Sequence, residues 1–287
     1  MKDNIISIDL GAETSPQVRE VHGQDYVEYG TDNWKNLYPQ FLIDLYYNSS
    51  TNAAIINATA EMISAEDIII DDEDGNERNL EAIVKLKKFF AHANGNESLH
   101  EVVKKIAFDF KLQGAFALNI IWTKDRTEIA EIYHVPVEKI RAEKPDEMGK
   151  VCGYYISADW ADERNNPPHR VPAFNVNDRT SPSQILYSGL YSPNMSAYYT
   201  PDYLAGNNWS LIDQKVSEFH LNNIKNGFSG SYFISFANGV PSADERYQVE
   251  NSLTEKFTGS DNAGKFILSF SEDRTRTPEI TPIAVAD

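Results

Sequence analysis

Residues 259–265, GSDNAGK, have the spacing G-x-x-x-x-G-K of a phosphate-binding loop. In such a loop backbone amides hold the phosphates, the lysine reaches them, and the next residue, Ser or Thr, ligates magnesium. Phe266 occupies that last position here. The order of elements is also inverted, because a predicted helix precedes the turn and a predicted strand follows it, so no helix N-terminus faces a phosphate. We therefore expect neither nucleotide binding nor ATP hydrolysis at this turn.

A second candidate site is the acidic stretch DDEDGNE at residues 71–77. Positions three, five, six and twelve of a calcium loop would be filled by Asp72, Asp74, Gly75 and Glu81. Position one would be Ile70, which has no side-chain oxygen, and aliphatic residues precede it where that site requires a helix. The pattern instead predicts a strand at Ile68–Ile70 that enters an acidic turn, with Gly75 at positive φ.

No other catalytic, cofactor or metal site is predicted. The six histidines have no metal-ligand spacing: His22, His92, His100, His134, His169 and His220. Residues 227–231, GFSGS, lack the last glycine of a nucleophile elbow. Carboxylates are abundant, but one sequence does not pair them across a cleft, so a glycosidase-type hydrolase stays open at this stage.

Composition places the chain among globular proteins of one or two domains, with 287 residues, 41% hydrophobic and 11% aromatic. No apolar run approaches the roughly 18 residues that cross a bilayer, so no membrane association is expected. The first residues, MKDNIISIDLGAE, lack the apolar core of a signal peptide. Cys152 is the single cysteine, so no intrachain disulfide forms, which suits a reducing cytoplasm.

The formal net charge is −17, from 43 acidic and 26 basic side chains. Proteins that grip phosphates need clustered Lys and Arg, so we expect weak affinity for nucleic acid. Two interpretations remain: an ordinary acidic protein whose charge favours solubility, or a surface along which DNA passes without adhering.

Periodicity predicts an α+β fold, with helices first and then a mostly antiparallel sheet. Residues 1–50 are predicted to be irregular, with an apolar cluster (Trp34, Tyr38, Pro39, Phe41, Leu42, Ile43, Leu45, Tyr46, Tyr47) that indicates a docking segment. Helices are predicted at Thr51–Ser64, at Leu80–His92 and from Glu97 to a stop at Gly114. Strands are predicted in the segments ALNIIW, EIAEIYHV, KVCGYYIS and SQILYSG.

The final third begins with a long predicted helix, Asp202–Gly227. Its apolar residues form one stripe (Trp209, Ile212, Val216, Phe219) and a second, adjacent stripe (Leu221, Ile224, Phe228). Two stripes favour packing on more than one side, although a buried helix within one domain has the same periodicity. A strand, an NG-x-P turn, a second helix, the NAGK turn and a last strand follow.

That order of elements, together with short segments elsewhere, resembles the portal proteins of tailed bacteriophages. The segments are VEYG at 27–30, NLYPQFL at 36–42, Phe110 with GAFA at 114–117, SEFH at 217–220, IKNG at 224–227, NGVP at 238–241 and NAGK at 262–265. The match extends over most of the chain, and its specificity comes from the shared order of these segments.

The resemblance implies a ring of twelve copies at one capsid vertex of the virion, assembled in the host cytoplasm. The ring would conduct double-stranded DNA without tight binding during packaging and ejection. It would dock the large terminase subunit and then a head–tail adaptor, beside the major capsid and scaffold proteins. The ATPase would be the separate terminase chain.

By the same analogy residues 1–200 form an α+β wing, 201–228 the first stem helix, 229–280 a small α/β clip, and 281–287 the start of a return to the stem. Stem residues would be Leu211, Ile212, Asp213, Val216, Glu218, Phe219 and Ile224. Clip or interface residues would be Tyr232, Phe233, Asn238, Gly239, Pro241, Phe257, Asn262, Gly264 and Lys265. Portal proteins continue into a second stem helix, a tunnel loop and a crown, so this chain would be a fragment or a truncated protein.

Two rival classes remain. An acidic α+β hydrolase would need an acid/base pair or nucleophile that no motif supplies. A carbohydrate- or protein-binding module could use the 15 tyrosines, and it would stay small in solution where a portal forms a ring.

Overall fold

The fold is that of a computed structural model, which describes residues 18–30, 34–70, 80–225, 231–236, 242, 244–245, 247–248, 266–270 and 279–283. The chain divides into two compact units, Met1–Asp213 and Gln214–Asp287. The combination of helices with mainly antiparallel sheets confirms the predicted α+β class.

The first unit contains the helices α1 (Tyr38–Asn48), α2 (Ser50–Ile63), α3 (Leu80–Ala91) and α4 (Leu99–Gln113), and the beginning of α5 (Asn207–Lys225). Its strands are β1 (Glu20–His22), β2 (Val27–Tyr29), β3 (Ala115–Trp122), β4 (Ile129–His134), β5 (Ile140–Ala142), β6 (Gly153–Ile156), β7 (His169–Pro172) and β8 (Ser183–Gly189). All pairings between these strands are antiparallel, in the orders β1-β2, β4-β3-β8 and β5-β6-β7.

The second unit contains a three-stranded sheet in the order β10-β9-β11, formed by β9 (Ser231–Phe236), β10 (Phe266–Phe270) and β11 (Glu279–Ile283). Strand β10 runs parallel to β9, and β11 runs antiparallel to it. The strand predicted before the NG-x-P turn and the strand predicted after the NAGK turn are therefore present, and they pair as β9 and β10. The turn lies outside the described residues, as does most of the helix predicted after the NG-x-P turn. The segment 281–287, which is predicted to be the start of a return to the stem, begins within β11.

The predicted helices and strands of the first unit are confirmed as α2, α3, α4, β3, β4, β6 and β8. Helix α4 begins with a capping box in which Ser98 and Glu101 bind each other's backbone amides, and it ends at Gly114, where φ is 75°. Four short strands (β1, β2, β5, β7) were not predicted, because three or four residues alone show too little alternation. Strand β6 is as short, but it lies in the longer segment KVCGYYIS.

Three predictions about the first two hundred residues and α5 need correction. The aromatic run before residue 50 is helix α1, and Tyr38, Phe41 and Leu45 are core residues rather than a docking segment. Ile68–Ile70 is not a strand: Ile69 is 83% exposed, and a strand needs a partner that this aliphatic triplet lacks among the described residues. The acidic turn after it lies outside the described residues. Helix α5 begins at Asn207 rather than Asp202, after a 3-10 turn at Leu204–Gly206.

The main core of the first unit is built around a buried cation. Arg141 of β5 is fully buried, and its guanidinium lies 5.0 Å from the ring centroid of Tyr29 and 4.7 Å from that of Trp160. Nε donates to Asn36 Oδ1 at 2.8 Å and Nη2 to the Asn36 carbonyl oxygen. Nη1 donates to the carbonyl oxygens of Glu138 (3.1 Å) and Ile140 (2.8 Å). Burial lowers the pKa of Arg141, and the neighbouring tyrosines oppose that shift.

Stacked tyrosines complete this core. The rings of Tyr29 and Tyr198 lie 3.9 Å apart, and Tyr198 Oη accepts from the Ala142 amide and donates to the Val27 carbonyl. Burial raises the pKa of Tyr29 to about 12 and that of Tyr198 well above its usual value. The phenols therefore remain neutral hydrogen-bonding groups.

One carboxylate binds the hairpin of β1 and β2 to the segment at residues 196–198. Glu20 of β1 accepts hydrogen bonds from the backbone amides of Ser196, Ala197 and Tyr198, at 2.7–3.0 Å, and from the Ser196 hydroxyl. Three successive amides make a concave anion site, which this side chain fills. The hairpin and the segment before α5 are thus joined.

Two glycines allow the segment leading to α5 to cross the end of the sheet. A Cβ at Gly114 would lie 2.2 Å from the backbone carbonyl atoms of Thr200, and one at Gly189 would lie 2.3 Å from the Gly114 oxygen. Gly114 also has φ 75°, which favours glycine. No side chain fits at this crossing.

We expect Gly114→Ala to destabilise the fold by about 3 kcal/mol, from left-handed backbone strain and from backbone displacement at Thr200. Gly149 is the matched control, because its φ is 78° but nothing lies within 4 Å of an added Cβ. Gly149→Ala should cost only the strain, about 1 kcal/mol, in urea unfolding. Equal losses would show that the crossing is not constrained.

We expect Arg141→Leu to lower the free energy of unfolding by about 3 kcal/mol or more, because the buried acceptors of Asn36, Glu138 and Ile140 lose their hydrogen-bond donor. The control is Arg179→Leu. Arg179 likewise stacks on a ring, 4.6 Å from that of Trp122, and donates to carbonyl oxygens, but it is only partly buried. Its loss should cost about 1 kcal/mol or less, since water replaces the donor. Urea unfolding curves give both values, and similar values would contradict a dependence on burial.

Candidate assembly surface

The first half of helix α5 is held by two hydrogen bonds to the start of α2. Asp213 Oδ2 accepts from the Ser49 hydroxyl at 2.7 Å and from the Thr51 amide at 3.4 Å. Ser49 is the N-cap of α2 and also accepts from the Asn52 amide. Asp213 therefore supplies negative charge where the α2 backbone amides are unpaired, a position that favours carboxylates. These hydrogen bonds, that from Ser49 first, lower the pKa of Asp213.

Further contacts hold the residues before α5 against α4. Tyr203 Oη donates to the Leu112 carbonyl oxygen at 2.7 Å, and the Lys111 ammonium lies 2.8 Å from both carboxylate oxygens of Asp202. Leu204 and Leu211 pack on the main core. The beginning of α5 thus has a defined position within the first unit.

Helix α5 nevertheless exposes most of its large apolar side chains. Trp209 is 74% exposed, Ile212 50%, Val216 48% and Phe219 54%. Spacings of three and four residues place them along one side of the helix. We call these four residues the α5 apolar stripe. Leu221, on the predicted adjacent stripe, is also exposed.

Helix α2 has a similar imbalance. It buries Asn52, Ile56 and Ala60, which are four residues apart, and leaves Ile55, Met62 and Ile63 exposed. Large aliphatic side chains that stay exposed on a helix with one narrow buried stripe are typical of a surface that is covered in an assembly.

The structure separates the predicted stem residues into different roles. Leu211 packs inward and Asp213 binds α2, whereas Ile212, Val216 and Phe219 are exposed. Glu218 accepts from Gln214 at 3.0 Å and pairs with Lys215 at 3.3 Å, so it belongs to the polar side. Ile224 lies in the last turn of α5.

Of the predicted clip residues, the structure describes the backbone of two. Tyr232 and Phe233 are consecutive residues of the central strand β9, in register with Phe266 and Ile267 of β10. The others (Asn238, Gly239, Pro241, Phe257, Asn262, Gly264, Lys265) lie outside the described residues.

In the described part of the chain, no group of three or more His, Cys, Asp or Glu side chains is placed to hold a metal ion. Nor does any helix described here have the length and hydropathy to cross a membrane. His134 and Asp109 form a largely buried pair with 2.8 Å between Nε2 and Oδ2, and Asp109 also accepts from the Val137 amide at 3.3 Å. That pair connects α4 to β4 and so has a structural explanation.

The comparisons with known proteins concern the fold. The chain is similar to one in the neck of an empty GTA particle computed with C6 symmetry, with TM-score 0.53 and 16% identity over 86% of this chain and 62% of that one. It is also similar to a chain in the virion of a native gene transfer agent (GTA) particle, with TM-score 0.52 and 15% identity over 86% of this chain and 61% of that one. The chain therefore spans about three fifths of their length. No family model and no curated protein matches it.

The Asp213 contact gives a pH-dependent prediction. Its lowered pKa means that the carboxylate stabilises the folded state above the unfolded pKa, and that this contribution disappears as the pH falls through the folded value. Asp213→Asn should lower the urea midpoint at pH 7, and the difference from the parent should begin to shrink below about pH 4 and continue to shrink as the pH falls further.

Glu61→Gln is the control, because Glu61 lies exposed on α2 and no hydrogen bond is described for its carboxylate. It should leave the midpoint unchanged throughout this pH range. An Asp213→Asn effect that stays the same size as the pH falls from 7 to well below 4 would mean that the ionised carboxylate is not what holds α5.

Proposed function

We propose that this protein is a structural subunit of a ring at the neck of a tailed phage or phage-like particle, with the role of a portal. The observation that carries the proposal is the α5 apolar stripe, on a helix whose first half is held in place while its large apolar side chains remain exposed. Copies of one chain in a ring cover such side chains on each neighbour.

Energetics support this assignment. Fully burying one Val, Ile or Phe side chain stabilises by about 1.5–3 kcal/mol, so the four side chains of the α5 apolar stripe, each exposed by about half or more, offer several kcal/mol per interface. A ring of identical subunits uses a heterologous interface that closes after a fixed rotation. The fold likeness to chains of GTA neck and virion particles is compatible with such an assembly.

The proposed arrangement assigns residues 1–200 to a wing, 201–228 to a stem helix, 229–280 to a clip and 281–287 to the start of a return to the stem. The division of the chain after Asp213 supports a separate C-terminal unit. Within the stem, Ile212, Val216 and Phe219 would face neighbouring copies, Leu211 and Asp213 would hold the helix to its own wing, and Glu218 would face solvent. Clip contacts would come from Tyr232, Phe233, Asn238, Gly239, Pro241, Phe257, Asn262, Gly264 and Lys265.

The proposed role is non-enzymatic. Twelve copies at a capsid vertex would form the channel for packaging and ejecting double-stranded DNA, and would bind the large terminase subunit, a head–tail adaptor, and capsid and scaffold proteins. The net charge of −17 supports a conduit from which DNA is released, because like charge disfavours phosphate binding.

The test is assembly of the full chain. Val216→Asp combined with Phe219→Asp should abolish rings in negative-stain images and native mass spectra, because two carboxylates would be buried without partners. The monomer should keep its circular dichroism spectrum and urea midpoint, since both side chains are about half exposed already.

The matched control is Asn222→Asp combined with Ser217→Asp, which adds the same charge at exposed polar positions of α5. It should leave rings intact. A parent chain that stays monomeric at all concentrations would contradict the ring and favour the binding-module alternative. Rings that survive the stripe variant would show that α5 is not the interface.

A further inference from the structure

Helix α2 has an exposed apolar stripe of its own. Ile55, Ala58 and Met62 follow one another at intervals of three and four residues, so they lie along one side of the helix. All three are exposed, Ile55 and Met62 by more than half. We call these three residues the α2 apolar stripe. It is separate from the row of α2 residues that is buried, so the chain that carries this stripe leaves it uncovered.

The α2 and α5 apolar stripes match in spacing. The α5 apolar stripe begins with the same intervals, since Ile212 follows Trp209 by three residues and Val216 follows Ile212 by four. Two helices with apolar residues at intervals of three and four pack side by side at a small crossing angle, and each side chain enters a space between side chains of the facing helix. In α2 the small Ala58 leaves such a space between its larger neighbours.

Charge favours pairing of the same two stripes. Residues 50–67, which contain α2, have three acidic side chains and no Lys or Arg. The exposed Glu61 directly precedes Met62 of the α2 apolar stripe, whereas Lys215 directly precedes Val216 of the α5 apolar stripe. Residues that flank such a seam form the ion pairs that select the partner helix. The ion pair of Lys215 within α5 is about half exposed, and a pair of this kind is weak enough to be exchanged.

Helix α3 also exposes apolar side chains, but they do not form a matching stripe. Leu80 and Val84 are exposed and four residues apart. The next positions on that side of the helix, three and four residues after Val84, are Lys87 and Lys88, which interrupt the row. The charge of these lysines would also repel Lys215. Of the helices that the structure describes, α2 is therefore the one that complements α5.

The ring itself requires two different surfaces on each chain. A head-to-tail interface places one surface of a copy against another surface of the next copy, so every copy contributes one surface to each neighbour. The α5 apolar stripe supplies the first surface in the proposed ring. The second must lie elsewhere on the same chain, where the α2 apolar stripe is exposed. This inference rests on the proposed function and names the partner of the α5 apolar stripe.

We propose that the α5 apolar stripe of one copy packs on the α2 apolar stripe of the next copy. Side chains of α5 would contact Ile55 and Met62 across Ala58, with Lys215 beside Glu61. The exposed ion pair would direct association more than it stabilises the interface. Because Asp213 binds the start of α2 within its own copy, α2 would link the α5 helices of adjacent copies.

The first test crosslinks the full chain in a Cys152→Ser background, which removes the one native thiol. Ala58→Cys combined with Ile212→Cys places one thiol on each stripe. A short bismaleimide should then join the copies into a ladder of covalent multimers on a denaturing gel, because each copy has two different neighbours. Either cysteine alone should give no multimers. The control replaces Ala58→Cys by Asn57→Cys, at an exposed α2 position outside the stripe, and should give no ladder.

The second test places a carboxylate in the proposed interface from the α2 side. Met62→Glu should raise the protein concentration at which half of the chains are in rings at least about tenfold, because the carboxylate is buried without a partner. The matched control, Asn57→Glu, adds the same charge outside the stripe and should change that concentration less than about twofold. Both residues are exposed, so the circular dichroism spectrum and the urea midpoint of the monomer should not change.

Four results would overturn the pairing of α2 with α5. Dimers from Ile212→Cys alone would mean that two α5 apolar stripes pair with each other, and dimers from Ala58→Cys alone would mean the same of α2. A parent chain that forms rings while the double-cysteine chain gives no ladder would exclude α2 and leave the ring proposal intact. Equal effects of Met62→Glu and Asn57→Glu would assign the loss of rings to charge alone. A parent chain that stays monomeric would instead contradict the ring and this inference together.

Discussion

The main core depends on the burial of one charged side chain without a carboxylate partner. Arg141 is surrounded by carbonyl oxygens and aromatic faces, which stabilise a cation without adding a second charge to desolvate. Because every donor direction of a guanidinium is fixed, satisfying Arg141 also fixes the Asn36 turn before α1 and the 3-10 turn before β5. Segments far apart in the chain are thereby brought into register around one group.

The same core determines where α5 starts. Tyr198, stacked on Tyr29, lies in the segment that leads across Gly114 to Pro201, and Leu204 and Leu211 pack on the core a few residues later. Asp213 then binds the N-terminus of α2. A continuous path of contacts thus connects the buried cation to the start of a helix whose apolar side chains are exposed. Rigid support of an exposed apolar side keeps the conformational entropy cost of association low.

Sequence patterns predicted the longer elements well, because α2, α4, β3 and β8 each contain enough residues to show their period. They failed at Tyr38–Tyr47, where aromatic residues crowd a helix that buries one side and exposes Tyr47. Arg141 could not be predicted as a core residue, since its partners are mainly backbone carbonyls and rings distant in sequence. The α5 stripe was visible in the spacing of Trp209 to Phe219, but periodicity alone does not distinguish a buried stripe from one left exposed.

The order of strands in the β4-β3-β8 sheet has a consequence for synthesis. Strand β3 pairs with β4 after a short turn. Its other neighbour is β8, where Ala115 pairs with Gly189, and the strands β5, β6 and β7 of a separate sheet lie between β4 and β8 in the sequence. Non-local pairing of this kind is slow, because a long loop must close first. As the chain leaves the ribosome, one edge of an apolar central strand therefore stays open until residue 189 has emerged. At that stage, pairing between the open strand edges of nascent chains on the same messenger RNA competes with folding.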